Sequence, residues 1–577
     1  MADTFGNGNA GNINILASES IELIGIEETK EIPSGIFAQV SAAATGKGGN
    51  IEIDTNTLTI KDGARIAAST FSTGNAGNLN IEASSIEIRG TNLQETISSG
   101  ISATVEREAT GEGGTIDIDT NSLVLRDGAQ ISAVTFSTGN AGNVNIDAVD
   151  SIELTGTSST LGTERSSGIS VSTQSEKTGN VGELNMTTNS LTVEEGARIS
   201  ANNSGAGESG NAILNVDKLI VKDGGLVGAA SLLAENFSND RPGDGGSLTI
   251  NANSIEVVGS KIIAGEEVRS SLFTLTETTG DAGDLKIFTD FLMVKDGAEV
   301  NVGATGEGAA GNLEINAQTI DLNNGTLTAN TVEGDGGNIT LNTNNLLLQN
   351  GNRQALISTD AKSTDGGNIS ITTDNLVALD NSDITANAIQ GRGGSVSIDA
   401  QGIFGIEARE KQTLESDITA TSDLGVQFSG DIIIETPDIE AESGLNELPT
   451  VPIDADTLIA QNLCNLQDGR IAGGSSFTII GRGGLPPSAD DPIINKTRIV
   501  DWATPSIPTD LETIENTENT EPEVRENIEE QSTSPVIQQA QGWVKTKDGK
   551  IVLTASAPII VPQTGEIGYP SCIESRD

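Results

Sequence analysis

The chain of 577 residues contains no histidine, two cysteines, two tryptophans and one tyrosine. Losing histidine removes the commonest general base and the commonest neutral metal ligand. Aromatic residues are 2% of the total and hydrophobic residues 35%, below the usual globular share of about 45–50%. One deep core is therefore excluded, and a thin core repeated along the chain is favoured. Basic residues are also scarce: 31 Lys and Arg stand against 82 Asp and Glu, a net charge of 31 − 82 = −51. Such a surface repels nucleic acid and anionic membranes, so neither is expected as a partner. No run approaches the ~18 apolar residues of a membrane span. The segment Met1-Ala2-Asp3-Thr4-Phe5-Gly6 has neither the basic nor the apolar region of a signal peptide.

What the chain has in abundance is glycine, 68 residues, in turns that recur. Gly74-Asn75-Ala76-Gly77-Asn78-Leu79-Asn80-Ile81 is nearly repeated at Gly8–Ile15 and Gly139–Ile146, and looser copies such as Gly48-Gly49-Asn50-Ile51-Glu52-Ile53 fill the intervals. Each is a small-residue turn that feeds an apolar–polar–apolar strand. Fourteen such turns can be marked, from Gly11, Gly49, Gly77, Gly114 and Gly142 to Gly394 and Gly430. The first spacings are 38, 28, 37 and 28, so short units alternate with long ones. The apolar period within a unit is two, which excludes helical repeats. A repeat begins within ten residues of Met1, and natural arrays carry caps; the sequence therefore reads as a piece of a longer open reading frame.

A short unit divides into Ile51-Glu52-Ile53, a polar corner Asp54–Thr57, Leu58-Thr59-Ile60, a second corner Lys61-Asp62-Gly63, and a third strand Ala64–Ala68. Asp-Gly and Asn-Gly corners recur at 127–128, 223–224, 296–297 and 324–325, where glycine and asparagine tolerate left-handed backbone. Three short strands per unit form either separate hairpins or one turn of a coil. A parallel coil brings equivalent positions of successive units together about 4.8 Å apart. Isoleucine then stacks on isoleucine inside, and asparagine on asparagine at the corners. The coil is favoured: fourteen coils over residues 1–440, on the order of 65 Å long. Long units insert a loop excursion before Ser99-Gly100-Ile101, Ser34-Gly35-Ile36 and Ser167-Gly168-Ile169, where Ser-Gly-Ile replaces Asp-Gly-Ala. Excursions of this kind carry binding function in solenoids.

Proline and glutamate break the pattern near Pro437. Residues 441–502, with Cys464, form a separate C-terminal region; 503–541 read as an acidic disordered linker; and 542–577, with Cys572, hold a hairpin turning at Asp548-Gly549. The cysteine pair in an otherwise cysteine-free chain predicts one Cys464–Cys572 disulfide formed in an oxidising compartment.

The candidates for chemistry are few. Asp117 with Asp119, and Glu52 with Asp54, are i, i+2 carboxylate pairs of the sort a β-helical polysaccharide lyase or hydrolase uses, but they recur along the array as solvated outer faces do. Gly243-Asp244-Gly245-Gly246 and Gly334-Asp335-Gly336-Gly337 resemble calcium-binding turns without their nine-residue period, which leaves calcium as the one cofactor to weigh. No enzyme activity is expected, and no catalytic, cofactor or metal residue is assigned.

The Gly-Asn-Ala-Gly-Asn-Ile-Asn-Ile and Asp-Gly-Ala-Arg-Ile-Ala-Ala repeats resemble the passenger region of cyanobacterial filamentous-haemagglutinin-like exoproteins of two-partner secretion. The tail from Cys464 through Gly483-Gly484-Leu485-Pro486-Pro487 and Gly542-Trp543-Val544 resembles their C-terminal region. The resemblance implies a right-handed parallel β-helix, export through an outer-membrane β-barrel partner, and a role in adhesion or aggregation at the cell surface through surface or matrix glycans or proteins. The family's N-terminal secretion domain is absent from these residues. Two other functions fit the composition: a β-helical polysaccharide lyase or hydrolase, and a calcium-dependent surface-layer or matrix scaffold.

Overall fold

The computed structural model describes residues 1–25, 33–92, 97–158, 164–174, 179–232, 243–351 and 355–437, together with the backbone of 542–545 and 551–554. The chain divides into two units, Met1–Ile439 and Glu440–Asp577. Cys464, Cys572, the 441–502 region and the 503–541 linker lie outside the described residues.

The first unit is an all-β parallel solenoid. Two fourteen-stranded sheets run its length, each strand hydrogen-bonded to the equivalent strand of the coils before and after. One sheet is built of long strands, from Ile13–Ile24, Ile51–Lys61, Leu79–Arg89 and Ile116–Arg126 to Val396–Phe404 and Ile432–Glu435. The other is built of short strands, from Gly35–Phe37, Arg65–Ala67, Gly100–Val105 and Gln130–Thr135 to Asp383–Thr385 and Asp417–Thr419. Between them lies a core of stacked like residues: Ile51 pairs with Leu79 and Leu79 with Ile116, and likewise Leu58 with Ile86 and Ile86 with Leu123. All six are fully buried.

The predicted corner at Asp54–Thr57 is not a corner. Ile51–Lys61 is one continuous strand in which the side-chain alternation slips by one residue. Ile51, Ile53 and Thr55 point inward, then Leu58 and Ile60 do, so the strand bends without ending. The buried Thr55 hydroxyl makes this possible by donating to the Thr57 carbonyl at 3.4 Å, as Thr120 does to Ser122 at 3.1 Å and Thr373 to Asn375 at 3.1 Å. A polar side chain therefore sits inside with its hydrogen bond made locally. The expected third strand, Ala64–Ala68, is the short strand Arg65–Ala67, and a column of single bridges, such as Val40–Thr70–Val105, follows it.

The glycines serve two different purposes. In the Asp-Gly corners both residues are left-handed: Asp62 has φ 57° and Gly63 φ 85°, Asp127 φ 56° and Gly128 φ 87°. In the Gly-Asn turns the reason is space. A Cβ on Gly77 would lie 1.9 Å from the Gly49 carbonyl oxygen, and one on Gly142 only 1.8 Å from that of Gly114. The turns thus stack backbone on backbone. The predicted asparagine ladder runs beside them: Asn12 Oδ1 accepts the Asn50 N–H, Asn50 Oδ1 the Asn78 N–H, and Asn78 Oδ1 the Thr115 N–H, each at 3.0 Å.

At the far end Glu407–Ala408 folds back alongside Asp417–Thr419 and covers the edge of the short sheet. Arg409 clasps Glu407, Glu415 and Asp417 there. Charged side chains at a strand edge discourage pairing with another chain.

In the second unit, Gly542–Lys545 pairs antiparallel with Ile551–Thr554, in the register Trp543–Leu553 and Val544–Val552. The Asp548-Gly549 turn that joins them lies outside the described residues.

Candidate functional site

The loop excursions leave the solenoid at one edge, between the long strand and the short strand of their coils. Thr157–Ser158 pairs with Arg165–Ser166, and Ser260–Ile263 pairs with Glu266–Arg269, both antiparallel. Thr91 and Ser98 form a single antiparallel bridge. As expected, Gly100–Val105 and Gly168–Thr173 follow these excursions in the register that Arg65–Ala67 and Gln130–Thr135 occupy. The serine just before the short strand that follows fastens each excursion to the coil before it. Ser99 Oγ accepts the Gly63 N–H at 2.8 Å, Ser167 Oγ that of Gly128 at 2.9 Å, and Ser270 Oγ that of Gly224 at 3.0 Å.

The excursions follow the long strands Leu79–Arg89, Val144–Thr155 and Leu248–Val258, with one and then two coils between, and reach across those coils to touch. The hydroxyls of Thr91 and Ser158 lie 3.2 Å apart, and the Ala264 N–H donates to Glu164 Oε1 at 3.0 Å. Lys261 pairs with Glu195, on one of the two coils between. The result is a raised rib along one side of the short sheet.

Between this rib and the opposite corner row lies a groove of about 630 Å³. The floor is the outward face of three adjacent short strands, with Gln130, Gly168 and Arg198 in one register row and Ser170 and Ser200 in the next. Glycine at 168 leaves the row open between the two long side chains. Glu164, Arg165 and Ser166 form the rib wall, while Arg107, Phe136, Gln174, Ser204 and Leu232 line the groove elsewhere. Phe136, Gln174, Ser204 and Leu232 stack as a row, each amide donating to the coil before it: Phe136 to the Val105 carbonyl at 2.8 Å, Gln174 to Thr135 at 2.9 Å.

Three arginines in one groove are conspicuous on so acidic a chain. Several cations on the solenoid surface are paired, as in Lys61–Glu22 at 2.6 Å, Arg126–Glu153 at 3.0 Å and Lys222–Glu194 at 2.7 Å. Arg107 and Arg198 make no such ion pair among the described residues. The groove walls desolvate the Arg198 guanidinium and lower its pKa, an effect the Glu164 carboxylate opposes; much of the residue still remains exposed, and the guanidinium keeps its charge. Neighbouring Arg65 is lowered chiefly by burial, with Glu106 raising it and the like charge of Arg165 lowering it further. Burial pushes the Glu106 carboxyl above the usual range, against the pull of Arg65 and Arg107. Two shielded acceptors of the groove wall, Glu164 Oε2 and Asn202 Oδ1, have no hydrogen-bond donor.

The carboxylates singled out in the sequence stand on the opposite sheet. Glu52, Asp117 and Asp119 line one hollow of about 530 Å³ at the bend of the long strands; Asp54 does not line it. Glu52 and Asp117 take part in the stacked ladders there, with Asn14 Nδ2 donating to Glu52 Oε2 at 3.0 Å and Asn145 Nδ2 to Asp117 Oδ1 at 2.8 Å. Asp244 of the Gly-Asp-Gly-Gly turn accepts the Asp281 N–H at 3.0 Å, the same laddering role that asparagine has elsewhere. Among the described residues no three His, Cys, Asp or Glu side chains gather to hold a metal ion. The groove itself was not picked out in the sequence. Its signal was the placing of scarce arginines: Arg65 and Arg198 recur in Gly-Ala-Arg-Ile, and Arg107 and Arg165 fall in segments that do not repeat. No family model, curated protein or solved structure matches the chain, so the chemistry of the groove is argued from its own residues.

Proposed function

We propose that the chain is a structural adhesin of the filamentous-haemagglutinin kind, secreted to the cell surface through an outer-membrane β-barrel partner, with the solenoid as a stiff support for a binding face. The observation that carries the proposal is the division of labour between repeating and unrepeated residues. The inward side chains of the repeat form the core and its corner asparagines the ladders, whereas the excursion residues Glu164–Ser166 and the outward face of three short strands enclose unlike residues in one groove on one face. Solenoids use such per-repeat insertions for binding. A catalytic reading lacks comparable support, since one carboxylate of each pair, Glu52 and Asp117, is bound into a ladder.

The test is to display the full chain on cells of a non-adherent strain and measure attachment to glycan- and protein-coated surfaces and settling by aggregation. Attachment or aggregation above that of cells without the chain is expected. Display at normal density with no gain in either would overturn the proposal.

A further inference from the structure

We infer that the groove over Gln130, Gly168 and Arg198 binds an acidic oligosaccharide, one whose negative charges are carboxylates set among hydroxyls, as in a uronate-containing chain. The inference deepens the adhesin reading and rests on it for its biological sense, while its chemistry stands on the groove alone.

Three observations point to this ligand class. First, Arg107 and Arg198 line the same groove and carry no ion pair among the described residues. Arg165 adds a third cation to the same lining. A guanidinium fork matches the two oxygens of a carboxylate, and the pair is stronger than a neutral hydrogen bond.

Second, the rest of the lining is hydroxyl and amide. Ser170, Ser200, Gln130 and Gln174 offer donors and acceptors for sugar hydroxyls, and Phe136 offers an aromatic surface at the groove wall. The unpartnered acceptors Glu164 Oε2 and Asn202 Oδ1 belong to the same wall. A densely charged ligand fits this lining poorly: three guanidiniums do not neutralise it, and the field of the surrounding carboxylates repels it. A ligand with no more than one charge per sugar and many hydroxyls fits.

Third, the site is open and held in place. Its floor has no side chain at Gly168, its length spans three coils, and Glu164 beside Arg165 is tied down by the Ala264 N–H. An extended chain can lie along it without ordering a loop first, which lowers the entropic cost of binding.

The experiment titrates the full chain with tetragalacturonate by calorimetry at low and moderate salt, beside the same tetramer with its carboxyls reduced. Saturable binding that weakens with added salt is expected, with the reduced tetramer at least about tenfold weaker. Arg198→Gln and Arg107→Gln should each weaken binding by about tenfold or more. Lys286→Gln, on the outer face of the long sheet, should leave it unchanged. A melting curve for each variant separates lost binding from lost fold; Arg107 is exposed beyond the end of the Gly100–Val105 strand, so its variant is the safer of the two. No binding of tetragalacturonate, equal binding of the reduced tetramer, or full binding by a folded Arg107→Gln variant would each overturn the inference. Adhesion without tetragalacturonate binding refutes the ligand and spares the adhesin, whereas binding without adhesion does the reverse.

Discussion

Replacing Gly142 with alanine tests whether the Gly-Asn turns exist for close stacking. The added Cβ would sit 1.8 Å from the Gly114 oxygen, and real contacts of this kind are not shorter than 3.0 Å. The two coils must therefore part by about 3.0 − 1.8 = 1.2 Å at this corner. The Gly113 N–H to Asn140 bond, 2.8 Å, and the Ile116 N–H to Asn143 bond, 2.9 Å, are then stretched beyond useful length. Two lost bonds at roughly 1 kcal/mol each, added to about 1–3 kcal/mol for overpacking, give a cost of about 3–5 kcal/mol. Gly11 is the internal control, because it holds the same place in its turn but a Cβ there meets nothing within 4 Å. Gly11→Ala should be neutral or stabilising by up to about 1 kcal/mol. A stack of coils need not unfold in one step, so amide exchange followed coil by coil is the right assay, with urea denaturation as a check. Gly142→Ala should speed exchange in the Ile116–Arg126 and Val144–Thr155 strands. A cost within about 0.5 kcal/mol of the Gly11→Ala value would refute the stacking argument.

Four further outcomes are expected. Burial raises the pKa of Asp360, against the opposing hydrogen bonds from the Asn387 amide and from the Thr385 and Ser358 side chains; the folded state thus holds its proton more tightly, and stability falls as pH rises from the unfolded toward the folded value. Asp360→Asn should therefore raise the melting temperature at pH 7, with the gain vanishing in acid, and a gain equal at every pH would refute the assignment. Burial also pushes Asp417 up, but Arg409 and Thr413 together hold it below the usual range, so its contribution is present above the unfolded pKa and is lost as pH falls through the folded one; Arg409→Gln should move the acid-induced opening of Asp417–Thr419, read by amide exchange, to higher pH. Asn78→Ala removes the acceptor for the Thr115 N–H and should cost about 1 kcal/mol in a denaturation experiment. Leu123→Ala, at a fully buried position flanked by like residues, should cost about 2–5 kcal/mol by the same measurement.

The architecture was legible because it is written fourteen times. Each Gly-Asn turn fixes where a coil begins, and the alternation of Ile51, Ile53, Leu79 and Ile81 shows which side faces inward. The bend within the long strand was misread for a physical reason. Asp54 and Asn56 point outward and Thr55 points inward, so the stretch looks uniformly polar although only its side-chain phase has changed. A threonine that satisfies its own hydroxyl locally is hard to tell from a loop residue in one dimension. The groove was hidden for the opposite reason. Arg107, Arg165 and Arg198 lie tens of residues apart, on three different coils, and come to line one groove only when the coils stack. Sequence reasoning located the excursions as the place for specificity, yet the charge that defines the groove comes from convergence.

The inter-coil hydrogen bonds also decide how the solenoid answers tension. They lie along its axis, so a pull from end to end loads the interfaces between coils in series, and the weakest one gives way first. The coil between Gly49 and Gly77 holds 28 residues but adds only about 4.8 Å to the height of the stack. Once peeled off it supplies up to about 95 Å of extended chain. Under load the molecule becomes an extensible tether: each released coil lengthens some twentyfold, while the remaining coils keep their fold.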